Sequence, residues 1–279
     1  MSARDFVLGL VLLLVSEGAA EAKVFRLGPT PPAEVKRVVT LAPSLTETVL
    51  ALGAGDTLVG VSRFDEAKEV AKLPRVGGYN DPSLEAVLAL SPQLVLAQMS
   101  PGNQSSVEQL AELGVPVIAL SLTTLADAVE AIGVIGEVLG KKDAAKALET
   151  KIHSVRAETK ARAQKRKHHP KVLFVVSFAP LVVAGPGSFI HELLEDVGAQ
   201  NVAAKAVTPF PQFSLERAVK RQPELVIDAA FSGEGRELVQ NLPSLKKARW
   251  VKMDSSELWH PGPALAEGLA KLEAWVYPP

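Results

Sequence analysis

The side chains of this chain that could do chemistry are few and dispersed. Its 279 residues include five histidines and no cysteine, which excludes disulfides, a thiol nucleophile, cysteine-held zinc or iron–sulfur clusters and a lipid-bearing cysteine. His153, His168, His169, His191 and His260 show neither His-x-His nor His-Glu-x-x-His spacing, so no helix face offers paired imidazoles to a metal. Gly185-Pro186-Gly187-Ser188 is the nearest approach to a nucleophile elbow, and Gly53-Ala54-Gly55 lacks the third glycine of a dinucleotide loop. No Gly-x-x-x-x-Gly-Lys-Ser/Thr phosphate loop is present. The expectation is that the chain holds no catalytic cofactor and no resident metal.

Two carboxylates stand out because they are repeated. The segment Ser83-Leu84-Glu85, running on to Pro92 and Leu94-Val95-Leu96, recurs as Ser214-Leu215-Glu216, running on to Pro223 and Leu225-Val226-Ile227. The offset is constant at 131 residues, so each copy predicts a capped helix, a proline-broken turn and a buried strand. Each glutamate falls in a first helical turn, where backbone dipoles stabilise a carboxylate by about 0.3–1 kcal/mol. Structural capping is one reading of the pair. The other is a symmetric two-point dock for a partner with two-fold-related arginines.

The elements that must position these groups are βα units. At roughly 150 residues per domain, the length suggests about two domains. A composition of 47% apolar and 22% charged residues with a net charge of −1 is that of a globular protein with no basic surplus for nucleic acid. Short β-branched runs at 37–41, 58–61, 94–96 and 115–118, and again at 171–176, 225–227 and 250–253, alternate with helix-period segments. Ser44-Leu45-Thr46-Glu47 has the pattern of a capping box opening a helix toward Ala54. Residues 141–167 contain neither proline nor glycine and predict a rigid helix, which Pro170 stops. The expected fold is α/β: a lobe at 36–139, one long helix at 141–167, and a second lobe at 171–277. The basic stretch Lys160–Lys171 has no interleaved aromatics and reads as a solvated helix face.

The N-terminus reads as an address. Arg4, the apolar run Phe6–Val15 and Ala20-Glu21-Ala22 make residues 1–22 a signal peptide cleaved after about Ala22, with an uncleaved anchor as the alternative. The apolar run is too short to span about 30 Å of hydrocarbon, so the expectation is an exported, periplasmic protein.

Over residues 36–277 the sequence resembles the helical-backbone periplasmic substrate-binding proteins of ABC importers, which carry cobalamin, haem and ferric siderophores. The likeness rests on Arg37-Val38-Val39-Thr40-Leu41-Ala42-Pro43-Ser44-Leu45-Thr46-Glu47, on Val59-Gly60-Val61-Ser62, on Val76-Gly77-Gly78-Tyr79-Asn80-Asp81-Pro82-Ser83-Leu84-Glu85 and on His260-Pro261-Gly262-Pro263, in that order. It implies a ligand cleft between two lobes, little hinge motion, and Glu85 and Glu216 docking on the paired subunits of an ABC permease with its ATPase subunits. It also implies a monomer. The cobalamin-binding branch looks nearest, with Tyr79 and Phe64 matching pocket aromatics and Gln98 standing where another pocket aromatic is expected. His260 takes a position usually held by arginine, which makes it and Trp259 candidate ligand contacts. Ser44, Phe178, Phe210 and Phe213 lie near strand ends or cleft loops and read either as ligand contacts or as core. Haem or a ferric siderophore is the alternative ligand, with Tyr79 as a phenolate axial ligand if the ligand is haem. From a different class, a metal-insertion enzyme acting on a tetrapyrrole is the competing function.

Overall fold

A computed structural model describes residues 24–100, 102–254 and 256–278. The expected signal peptide lies outside the described residues. The first half of the chain contributes β1 (Val24–Leu27), β2 (Val38–Thr40), α1 (Pro43–Ala51), β3 (Leu58–Gly60), α2 (Leu84–Ala89), β4 (Leu94–Gln98), α3 (Gln104–Glu112) and β5 (Val117–Leu120). These strands form a sheet in the order β1-β5-β4-β2-β3, parallel except for β1, which lies antiparallel on β5. Then come α4 (Leu125–Val138) and α5 (Lys142–Ala163). The second half contributes β6 (Lys171–Phe178), β7 (Leu181–Val183), α6 (Phe189–Asp196), β8 (Gln200–Asn201), α7 (Leu215–Arg221), β9 (Leu225–Asp228), α8 (Arg236–Gln240), β10 (Arg249–Lys252) and α9 (Leu265–Val276). The second sheet runs β10-β9-β6-β7, with β8 also on β6, and only β7 is antiparallel.

The duplicated segment is duplicated in space. Ser83 Oγ accepts the Ala86 N–H at 3.2 Å to cap α2, and Ser214 Oγ accepts the Arg217 N–H at 3.1 Å to cap α7. Each helix is followed within two residues by one with positive φ, Ser91 at 44° and Gln222 at 50°, just before the proline that leads into β4 or β9. A left-handed non-glycine residue costs steric energy, yet both copies adopt it at equivalent positions.

The long helix α5 joins the lobes, and α4 packs beside it and reaches both cores. Leu125 and Ala128 of α4 pack in the core of the second lobe, while Ala131, Ile132 and Ile135 pack in the core of the first. In α5, Ala145 and Ile152 enter the first core and Val155 packs on the second. The helix is shorter than the expected 141–167: its 22 residues span about 33 Å. It stops before the cations at 165–167, of which Arg166 reaches Glu273 at 2.9 Å and lies over the Tyr277 ring at 3.7 Å. Gly136 allows the two helices to cross closely, since a Cβ there would meet the Ala145 methyl at 2.4 Å.

Ion pairs tie α5 to the second lobe. Arg156 and Lys160 both reach the buried Asp196 of α6, at 2.5 and 3.0 Å, and Arg162 pairs with Glu273 of α9 at 2.7 Å. Three cations of the basic stretch, Lys160, Arg162 and Arg166, are therefore paired with acids of the same lobe. Among the described residues no helix is long and apolar enough to cross a membrane.

The expected capping box at Ser44 does not form. Pro43 occupies the first turn of α1, Ala42 is the N-cap without a side-chain bond, and Ser44 is buried with no hydrogen-bond partner for its Oγ. Proline's fixed φ and missing N–H suit that position, so the helix starts without a polar cap.

Candidate ligand cleft and docking face

In a βα unit the helix runs antiparallel to its strands, so loops at the C-terminal strand ends gather on one edge of the sheet. The start of α1, the loop at 62–64, the loop at 77–82 and the end of β4 lie on that edge of the first sheet. The corresponding edge of the second sheet carries the ends of β6 and β9 and the loop after β10. The two edges face each other. His260 Nε2, in the loop after β10, lies 3.5 Å from Glu47 Oε1 on α1, and Gly262 lies close to the same carboxylate.

The electrostatics of this bridge are unusual for an acid and a base in contact. Burial, together with the negative charges of Asp65 and Glu257, pushes Glu47 up to about 7. Burial pushes His260 down to about 4, and its Nδ1 is buried without a partner. Asp65 itself is raised by burial, while the Ser62 hydroxyl bonds its carboxylate at 2.6 Å. Near neutral pH His260 is therefore uncharged, and Glu47 is poised to gain or lose a proton.

On the first lobe, Phe64 and Tyr79 lie on adjoining loops. Phe64 is 50% exposed and Tyr79 38%. Buried Asn103 clamps the Tyr79 loop, donating to the carbonyls of Tyr79 and Gln98 at 2.6 and 2.7 Å. The Phe64 ring packs on Gly78, where an added Cβ would meet it at 2.8 Å, and Arg63 lies over the ring while pairing in a fork with Asp81. Gln98 is half-buried at the end of β4.

On the second lobe, Phe210 is 44% exposed and Trp259 is half-buried. Phe231 is 87% exposed and packs against Trp259 at 4.1 Å between ring centroids, the planes tilted by 42°. Sequence reading missed Phe231; the available signal was a lone aromatic directly after the strand end Asp228-Ala229-Ala230. Glu47 was missed as a cleft residue because it was read as a cap.

Three expected cleft candidates are turned inward. Phe178 is 5% exposed and stacks on Trp250 at 6.1 Å in the second-lobe core. A register shift between Val175 and Ser177 against β7 reverses the alternation along β6 and puts the ring on the face of Leu173 and Val175, one of the two buried faces of this sheet. Phe213 is buried in the same core, and Ser44 lies beneath the surface of the first lobe.

Glu85 and Glu216 sit at the N-terminal ends of α2 and α7, on the same C-terminal sheet edges as the aromatic rings. Both are exposed, and among the described residues neither forms an ion pair. Ser83 and Ser214 do the capping, which leaves the two carboxylates unengaged.

A two-lobed α/β molecule with aromatic rings on facing strand edges is the architecture of a ligand carrier, and the relatives agree. The family model for periplasmic binding proteins matches residues 38–251, and the chain belongs to that family. It is 33% identical over 224 residues to the vitamin B12-binding protein of Salmonella paratyphi A, covering 78% of this chain and 82% of that one. It is 31% identical to an uncharacterized ABC transporter substrate-binding lipoprotein of Bacillus subtilis, covering 88% and 81%. Among solved structures, a periplasmic heme binding protein of Pseudomonas aeruginosa is 30% identical with a TM-score of 0.72, covering 88% of this chain and 93% of that one. The protein is a substrate-binding component of the ABC-importer type.

Proposed function

We propose that the protein captures cobalamin or a related corrinoid between its lobes and delivers it to an ABC permease. One observation carries the reading: both lobes present rings, Phe64 and Tyr79 on one side and Phe210, Phe231 and Trp259 on the other, along edges that the Glu47–His260 contact holds face to face. A broad ligand buries large flat areas against such rings. The likeness to a vitamin B12-binding protein supports the same ligand class. The protein is exported to the periplasm, acts as a monomer, and carries its ligand without transforming it. Glu85 and Glu216 orient it on the permease dimer and its ATPase subunits, giving orientation and on-rate more than raw affinity.

Titrating the purified protein in a calorimeter with cyanocobalamin, haemin and a panel of ferric siderophores tests the ligand. Stoichiometric, product-free binding of cyanocobalamin in preference to the others is the expected result; turnover of a tetrapyrrole, or binding only of a siderophore, would defeat it. Haem is the second reading, favoured by the exposed phenol of Tyr79 on a loop pinned by Asn103, which is placed to offer an oxygen to Fe(III).

A further inference from the structure

A cavity of about 230 Å³ opens beside Phe231, lined by Val176, Ser177, Ala179, Ala230, Ser232 and Glu234. Pockets for whole ligands run from about 300 to 1,000 Å³, so this one holds part of a ligand. Its floor is apolar, formed at the ends of β6 and β9. Its polar groups are two hydroxyls and one carboxylate, and no cation lines it. The Lys252 ammonium, outside the lining, is already engaged, donating to the Ala230 carbonyl at 2.8 Å and lying 3.5 Å from Asp228. A carboxylate or phosphate entering this space would lose its water without gaining a positive partner. A flat neutral ring would not suffer that cost.

Phe231 supplies the stacking surface for such a ring. It is held at one end by Trp259 and is otherwise open, and Trp259 directly precedes the His260 that touches the opposite lobe. The ring pair therefore stands at the border of the cleft, with the cavity beside it.

Resting on the corrinoid reading above, we propose that Phe231 and its cavity form a specificity subsite that receives a flat, uncharged aromatic appendage of the ligand, which in cobalamin is the benzimidazole base of the nucleotide tail. The macrocycle itself lies outside this space, between the two lobes. Phe231 thus discriminates among ligands that share a macrocycle and differ in the appendage.

The test compares cyanocobalamin with dicyanocobinamide, which keeps the corrin ring and lacks the base, by calorimetry on the wild-type protein, Phe231→Ala and Phe231→Trp. One good ring stack corresponds to about a tenfold preference of the wild type for cyanocobalamin. In Phe231→Ala that preference is expected to fall below about threefold, mostly through weaker cyanocobalamin binding, and Phe231→Trp is expected to keep it. Because Phe231 is so exposed, its truncation leaves the core intact. An undiminished preference in Phe231→Ala, or an equal loss for both corrinoids, overturns the subsite while leaving the corrinoid reading standing. If the wild type binds neither corrinoid, the corrinoid reading fails and this assignment fails with it.

Discussion

Glu47 and His260 meet across the cleft with their acidities displaced in opposite directions. Glu47 is raised from 4.5 to about 7, so it binds its proton more tightly in the folded protein, and its contribution to stability is lost as pH rises from 4.5 through 7. His260 is lowered from 6.5 to about 4, so its contribution is present above 6.5 and lost as pH falls toward 4. The two slopes oppose each other between pH 4.5 and 6.5 and conceal one another in the wild type. Glu47→Gln removes one of them: its melting temperature relative to wild type should climb from pH 4.5 and level off above about 7, as read by thermal unfolding in a buffer series. A difference that stays flat with pH would show that Glu47 titrates normally. Tyr79 makes a second prediction at this scale. Truncation to alanine should weaken ligand binding by more than about 1 kcal/mol, and an iron–phenolate band should vanish with it only if haemin is the ligand.

The helical elements owe their placement to small residues and caps. The crossing of α4 and α5 depends on Gly136 meeting Ala145. Gly136→Ala would gain about 1 kcal/mol of helix propensity but would force two methyl groups together, and overpacking of that kind costs about 1–3 kcal/mol. The expected outcome is a net loss of about 1 kcal/mol in urea unfolding, and a gain in stability would contradict the close crossing. Ser83→Ala and Ser214→Ala should each cost about 1 kcal/mol, because each removes a side-chain cap from a short helix. Equal losses at the two sites are expected from the repeat; a loss at one site alone would show that only one cap holds its helix. Both cap variants leave the neighbouring glutamates in place, so stability and docking can be separated.

At the scale of the whole molecule, each lobe carries one of the duplicated exposed glutamates, and the lobes are held in relation by helices rather than a flexible linker. Arg156 and Lys160 fasten those helices to the second lobe through Asp196, and Leu125 and Ala128 fasten them through the core. A rigid spacing is what a two-point dock needs. Reversing both acids, Glu85→Arg with Glu216→Arg, should abolish ligand uptake in cells while calorimetric affinity stays at the wild-type level. Undiminished uptake by the double variant would remove the docking role.

Much of this was legible in the chain. The repeat from Ser83 and Ser214, the proline breaks and the β-branched runs are local patterns, and local patterns set which segments become helices and strands. The absence of thiols and of motif spacings excluded whole chemistries from composition alone. Helix ends were less legible: α5 stops at Ala163, and its C-terminal cations pair with Glu273, which lies more than a hundred residues away. Inward or outward facing was less legible still. Phe178 at the end of β6 and Phe231 just beyond β9 are both aromatics near strand ends, yet the first packs in the core against Trp250 and the second stays open beside Trp259. The pairing of Glu47 with His260 joins residues from opposite lobes and has no local signature at all. Which elements exist follows from short-range backbone and side-chain preferences that any sequence window contains. Which rings line the cleft, and how acidic its groups are, follows from burial and contact between distant segments, and only the packed molecule defines those.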